Sequence, residues 1–380
     1  MTYKTLRNIV FALHRYIGLG IGLIAIIVGL TGSLLVFQGE ITTHQKHFQI
    51  GSITHTGEIL PIEVVLNIMT KSYASQPDFK LNRVYVPTKP DEPFNVVYVT
   101  KKDDWIENSV HPYTGEVLVN NLNPNPVERF YKVIYALHYS LLANDIGLKI
   151  VGIVGLLMCI LTITGIFLWP GWRKLLMGFR IKWNAHPKRV NFDIHKVGGV
   201  IAGVFLFFTF FTGFCWNFSE FSEPVIRAIT FSGVKPEPVS QYIPGQSPVK
   251  LTEQLKTAQA QLPIAELRSV YFAQKPDSAL MIRYKLPQEK EDYGNSYVYL
   301  DQYNGKVLRV DNALKPSSLG DRILNSFDAL HYGTFGGLPT RILYVFVGLS
   351  PFLLFVTGID MYWHRKRPKT NLPAKAFAQK

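Results

Sequence analysis

Four histidines sit where an apolar chain has least use for them. His138 and His331 lie in the matching stretches ALHYSLL and ALHYGTF, 193 positions apart (138 to 331), each just ahead of a long apolar run. His14 and His195 stand 181 apart (14 to 195), at the start of two other runs. An ionisable side chain in apolar surroundings is a candidate for function. Imidazole is a common ligand of haem iron, which accepts two axial ligands on opposite sides of the macrocycle. Two histidine pairs at two depths therefore predict two non-covalently bound haems, His14 with His195 on the inner side and His138 with His331 on the outer. No C-x-x-C-H for covalent attachment occurs. Gly18 and Gly22 follow His14 along one helical face, as Gly199 and Gly203 follow His195. Glycine at those points leaves room for a flat ring, although the same spacing also serves close helix packing. Arg15 and Lys196, next to the inner ligands, are expected partners for haem propionates. Lys149 and Arg341 are further candidates near the outer boundary.

Four apolar runs must position these groups: 17–37, 146–169, 197–218 and 338–363. Each reaches the ~20 residues that a membrane-spanning helix needs. Of the 380 residues, 47% are hydrophobic, and the formal net charge is +13. The basic residues gather in 173–189 and in the tail from Arg365, beside the membrane, so they read as topology and not as nucleic-acid binding. Both termini and the 173–194 loop are then cytoplasmic, and the stretches 39–132 and 219–322 lie outside. The first run lacks a small-x-small cleavage site and is expected to be an anchor, not a signal peptide. Cys159 and Cys215 fall at different depths, and no disulfide between them is expected.

Sliding the chain against itself exposes an internal repeat. Arg129 answers Arg322, and Thr164-Gly165 answers Thr357-Gly358, at the shift of His138. Thr31-Gly32 answers Thr212-Gly213 at the shift of His14. Outside the membrane, VYVPTKPD (84–91) answers VYFAQKPD (270–277), and HPYTGEVL (111–118) answers DQYNGKVL (301–308). The expected fold is a bundle of four transmembrane helices in two parallel repeats, with two small α+β periplasmic domains. Each of these has a helix, near 62–73 or 251–261, followed by strands and a closing hairpin. The expected boundaries are 1–38 for the first helix, 39–132 for the first outer domain and 133–172 for its outer approach and second helix. The basic loop 173–194, third helix 195–218, second outer domain 219–322, outer approach and fourth helix 323–364 and tail 365–380 complete the chain.

The other histidines carry weaker signals. His364, at the inner end of the fourth run, is a fallback inner ligand, but Gly171 is its repeat counterpart. His44 and His47 share helical spacing yet lack a carboxylate. His186 lies in the basic loop, and His55 and His111 read as surface residues. Tyr139 and Tyr332 suit a membrane interface. No P-loop, dinucleotide fingerprint or nucleophile elbow is present.

The opening stretch LHRYIGLGIGLIAIIVGLTGSLLVF resembles the first helix of PepSY-associated transmembrane proteins. HPYTGEVL and DQYNGKVL look like the closing hairpins of PepSY domains, and the family layout covers nearly the whole chain. Members include bacterial inner-membrane reductases of ferric siderophores that carry two b-type haems. The resemblance implies an oxidoreductase of that kind, acting on a ferric siderophore or other ferric chelate. Some relatives carry a flavin-binding module, this chain has none after Trp363, and the resemblance therefore leaves the electron donor, cytoplasmic or in the membrane, unidentified. The alternative is a non-redox PepSY membrane protein that binds or senses peptides or assists iron uptake.

Overall fold

The first helix begins earlier than its apolar run, because the Thr2 hydroxyl accepts a hydrogen bond from the Thr5 N–H and caps it. His186 does the same for the third long helix, accepting from the Lys188 N–H with Pro187 in the first turn. The third helix therefore starts at Pro187 and not at the expected 195, and His186 is a capping residue. The basic loop ends at His186, not at residue 194.

The computed structural model describes residues 2–54, 57–73, 78–101, 105–120, 124–289 and 292–366. His55 and the tail beyond Lys366 lie outside the described residues. The helices are α1 (Tyr3–Leu35), α2 (Gln38–Ile50), α3 (Ile62–Ser72), α4 (Pro126–Ser140), α5 (Asn144–Leu168), α6 (Leu175–Phe179), α7 (Pro187–Asn217), α8 (Ser219–Ile229), α9 (Leu251–Gln261), α10 (Leu319–Asn325), α11 (Phe327–Tyr332) and α12 (Leu338–Lys366). The strands are β1 (Phe79–Tyr85), β2 (Phe94–Thr100), β3 (Trp105–Val110), β4 (Val117–Asn120), β5 (Glu266–Tyr271), β6 (Leu280–Lys285), β7 (Ser296–Leu300) and β8 (Val307–Asp311). They build two units, a helical bundle and a sheet.

In the bundle, α1, α5, α7 and α12 are long and apolar enough to cross a membrane. Their outward faces expose Leu23, Ile153, Ile201 and Phe352, as helices facing lipid must. Each of α1 and α7 packs on both α5 and α12, so α1 and α7 lie on one diagonal and α5 and α12 on the other. Ala25, Val28, Met158, Leu206 and Phe210 fill the centre. Gly29 and Gly348 let α1 and α12 touch by backbone: a Cβ on Gly29 would stand 2.5 Å from the Gly348 carbonyl oxygen. The helices that carry His138 and His331 end in left-handed elbows. Leu141, Leu142 and Asn144 have φ of 51°, 59° and 46°, and Gly333 and Gly337 have φ of 70° and 68°. Left-handed backbone at two consecutive leucines is uncommon and turns the chain sharply from α4 into α5.

The sheet unit departs from the expected pair of small domains. All eight strands form one antiparallel sheet in the order β4-β3-β2-β1-β5-β6-β7-β8. β1 pairs with β5 about Val84 opposite Val270, the very residues that open the matching stretches VYVPTKPD and VYFAQKPD. One continuous core then gathers Val65, Met69 and Ala258 from α3 and α9 with Val84, Val270, Ile282 and Val298 from the sheet. His111 and Asp301 shape the two closing hairpins. The His111 Nδ1 accepts the N–H groups of Tyr113 and Thr114, and an Asp301 carboxylate oxygen accepts those of Tyr303 and Asn304. Elsewhere in this unit, burial pushes the Asp321 carboxyl up. Hydrogen bonds from Ser317, Ser318, Lys235 and Arg227 outweigh that and hold it below the usual carboxylate range.

Candidate functional site

A threonine in an apolar helix satisfies its own hydroxyl proton by donating to a carbonyl one turn back. Thr31, Thr164, Thr212 and Thr357 do this to Ile27, Ile160, Phe208 and Leu353, at 2.7–2.8 Å. The hydroxyl oxygen then has only acceptor capacity left. In all four cases a histidine from a neighbouring helix presents Nδ1 to it. His14 reaches Thr164 at 3.0 Å, His138 reaches Thr31 at 3.1 Å, and His195 and His331 reach Thr357 and Thr212 at 2.8 Å. The carbonyls of Leu161 and Val28 stand beside His14 and His138 as second acceptors. With acceptors at Nδ1, the proton belongs on Nδ1 and the lone pair on Nε2. This fixed tautomer is the arrangement that metal-ligating histidines adopt.

The residue after each threonine is glycine, and the imidazole lies against it. A Cβ on Gly32 would come within 2.9 Å of the His138 ring, and one on Gly165 within 3.0 Å of the His14 ring. A Cβ on Gly213 or Gly358 would stand 3.5 or 3.6 Å from the His331 or His195 ring. The four Thr-Gly pairs were visible in the sequence as repeat markers. Their contribution to the site was not, since each serves a histidine on another helix.

The histidines meet as the expected pairs. His14 on α1 and His195 on α7 face each other across a diagonal, with ring centroids 6.5 Å apart. His138 on α4 and His331 on α11 stand 6.2 Å apart. A metal–imidazole bond is about 2 Å long and the ring centroid lies about 1 Å behind the nitrogen, so two trans imidazoles on one metal place their centroids about 6 Å apart. Both pairs have that separation. Burial lowers the outer pair, His331 to about 3 with the nearness of His138 adding to the effect, which leaves both rings neutral, the ligating form. His331 also packs on Trp216 at 4.6 Å between centroids. Among the described residues no cluster of three or more His, Cys, Asp or Glu could hold a bare metal ion. A site with two protein ligands suits a metal whose equatorial ligands arrive with it, which is the donor set haem requires.

The supporting residues divide. Arg15 stacks over Tyr16 at 4.5 Å, and its Nε is buried without a hydrogen-bond partner among the described residues, so it fits an anionic edge beside the inner pair. Lys196 does not. Its ammonium, 4% exposed, donates to Asp193 at 2.8 Å and to the carbonyls of Met177 and Arg180 at 3.3 and 3.1 Å. All three donors are taken, and the expectation of a propionate partner there is corrected. A Cβ on Gly18 or Gly199 would lie 3.5 Å from Leu161 or 3.6 Å from Leu354, an ordinary contact, so that side has room for a methyl group and little more. Lys149 is exposed, and Arg341 donates to the Val36 carbonyl at 2.6 Å. His364 leans on Asp360 of its own helix, apart from the inner pair's contacts.

Thr357→Val keeps the shape but deletes the hydroxyl acceptor at His195, leaving the Leu354 carbonyl beside that ring. Loss of such a partner costs metal sites about 10–100-fold in affinity. Haem retention at the inner pair should fall by that order through detergent washing, followed by visible absorbance, while the outer pair is unchanged.

A family model described as the PepSY-associated TM region matches residues 11–365. No curated protein matches the chain.

Proposed function

The chain belongs to the PepSY-associated transmembrane family, and on that premise we propose that it is a two-centre b-type cytochrome of a bacterial inner membrane that reduces ferric chelates, siderophores among them, on the periplasmic side. The observation that carries this reading is the double histidine geometry: two pairs with centroids 6.5 and 6.2 Å apart, every Nδ1 anchored on a threonine. His14 and His195 would hold one haem b and His138 and His331 the other. Bound there, haem supplies reversible one-electron chemistry.

The chain's own residues set the rest. His14 and Thr31, which anchors His138, are 17 positions apart on α1 (14 to 31), so the pairs are separated by about 25 Å along the bundle. That distance is most of a ~30 Å hydrocarbon core. The basic loop from Arg173 to Arg189 puts the inner pair at the cytoplasmic end, with both termini inside and the strand-bearing segments in the periplasm. The two helix–segment–helix halves enter in the same direction, as parallel repeats. Iron reduced to Fe²⁺ carries less charge and is held less firmly by hard oxygen ligands, so it can be released.

Stopped-flow spectroscopy tests the assignment. The dithionite-reduced wild-type protein should be reoxidised on mixing with a ferric siderophore, read as the shift of the Soret band. A protein that binds haem yet stays reduced through excess ferric chelate would contradict the reductase reading.

A further inference from the structure

The face of the sheet turned away from α3 and α9 carries chemistry that the histidine pairs do not use. Strand alternation places Arg83, Tyr85, Tyr271, Arg283 and Tyr297 there, opposite the buried Val84, Val270, Ile282 and Val298. Arg83 pairs with Tyr271 and Tyr85 with Ser269 across the β1–β5 seam, so the cluster straddles the centre of the sheet. The Arg83 guanidinium lies 4.4 Å from the Trp105 ring centroid and 4.8 Å from that of Tyr271, and donates to the Tyr85 hydroxyl at 3.2 Å. Arg283 lies 4.7 Å from the Tyr293 ring and 5.2 Å from Tyr297, and donates to the Tyr271 hydroxyl at 3.4 Å.

Neither guanidinium meets a carboxylate among the described residues; beyond the tyrosines, Arg83 donates to Asn82 and Arg283 to Asn295. The Arg283 Nε is buried with no hydrogen-bond partner. The acids of this face are already matched, Glu107 by Lys46 at 2.6 Å and Asp311 by Lys235 at 2.9 Å and Arg309 at 3.0 Å. The face therefore keeps a positive excess at its centre. A half-buried guanidinium without a counter-ion retains its charge while losing water, which is unfavourable until an anion completes it. Planar forks recognise paired oxygens, the rings offer flat faces, and the phenols add donors.

A flat aromatic ligand with paired anionic oxygens satisfies all of these groups together. Given the ferric-chelate reading above, on which this step rests, we propose that the face binds catecholate chelates of trivalent iron. These are net-negative complexes whose metal ligands are themselves aromatic rings. Hydroxamate chelates, lacking both the negative charge and the rings, match it poorly.

Gallium(III) tris(catecholate) is a redox-inert probe, so calorimetric titration of the detergent-solubilised full chain reads binding whether or not haem is present. It should bind wild type, and Arg83→Gln and Arg283→Gln should each weaken binding about tenfold or more. Arg283→Lys, which keeps a cation among the rings but loses the fork, should fall between, and it carries the comparison should the glutamine variant lose its fold. A gallium trihydroxamate should bind more weakly to wild type and be insensitive to these changes. Equal catecholate affinity in wild type and in all three variants overturns the proposal, as does a preference for the hydroxamate. Intact, arginine-dependent catecholate binding in a protein that fails the stopped-flow test would sink the reductase reading and leave the site standing.

Discussion

Alanine in place of His331 should remove the outer haem and leave the inner one. On the proposed assignment His331 would supply one of the two ligands of that haem, and its ring is held by Thr212 at 2.8 Å and packs on Trp216 at 4.6 Å between centroids. Alanine would leave His138 as the one remaining ligand of the pair. Removing an outer-shell partner alone costs about 10–100-fold in affinity, so loss of the ligand itself should empty the site at micromolar protein. The purified variant should keep about half the Soret absorbance and remain reducible by dithionite. Its reoxidation by a ferric siderophore should slow by about a hundredfold or more if the outer pair is the exit. Wild-type reoxidation in a variant that has lost that absorbance would reject the outer pair as the exit. His14→Ala should produce the complementary loss, with the outer signal retained. His364→Ala should leave both, since that ring is occupied by Asp360 on its own helix.

Asp193→Ala should have the largest effect on stability. Asp193 is fully buried and accepts from Lys196 Nζ at 2.8 Å, Arg189 Nε at 3.1 Å and the Lys182 N–H at 3.2 Å. It ties the basic loop to the first turns of α7, two residues before His195. Without it the Lys196 ammonium remains buried with only carbonyl partners, and breaking a buried pair in this way costs about 3–5 kcal/mol. A marked fall in apparent unfolding temperature is expected in Asp193→Ala. Partial recovery is expected in Asp193→Ala with Lys196→Met, where no charge is left stranded. If the single variant melts with wild type, the clamp contributes nothing. If the double variant is worse than the single, the cost lies in lost packing and not in an orphaned charge.

The sequence made the histidine pairs legible because a polar residue in an apolar run stands out, and the same spacing appears twice. The threonine anchors were harder, because Thr164 and His14 are 150 positions apart (14 to 164) and only packing brings them together. The Thr-Gly pairs recurred with the histidines at the same two shifts, which is the signal that could have linked them. Lys196 was misread although Asp193 stands three positions earlier on the same helix, a spacing at which opposite charges meet. The single sheet was hidden for another reason. Strand pairing between Val84 and Val270 is long-range, and two similar segments read as two copies of a domain when they are in fact partners across a seam. The start of α7 was missed because hydropathy marks the apolar run, while capping by His186 sets where the helix begins.

Haem stoichiometry tests the central claim most directly. The full chain, expressed with haem precursor supplied and purified in mild detergent, should give an alkaline pyridine spectrum of b-type haem at two per chain. A colourless protein, or one haem that survives both His14→Ala and His331→Ala, would contradict it.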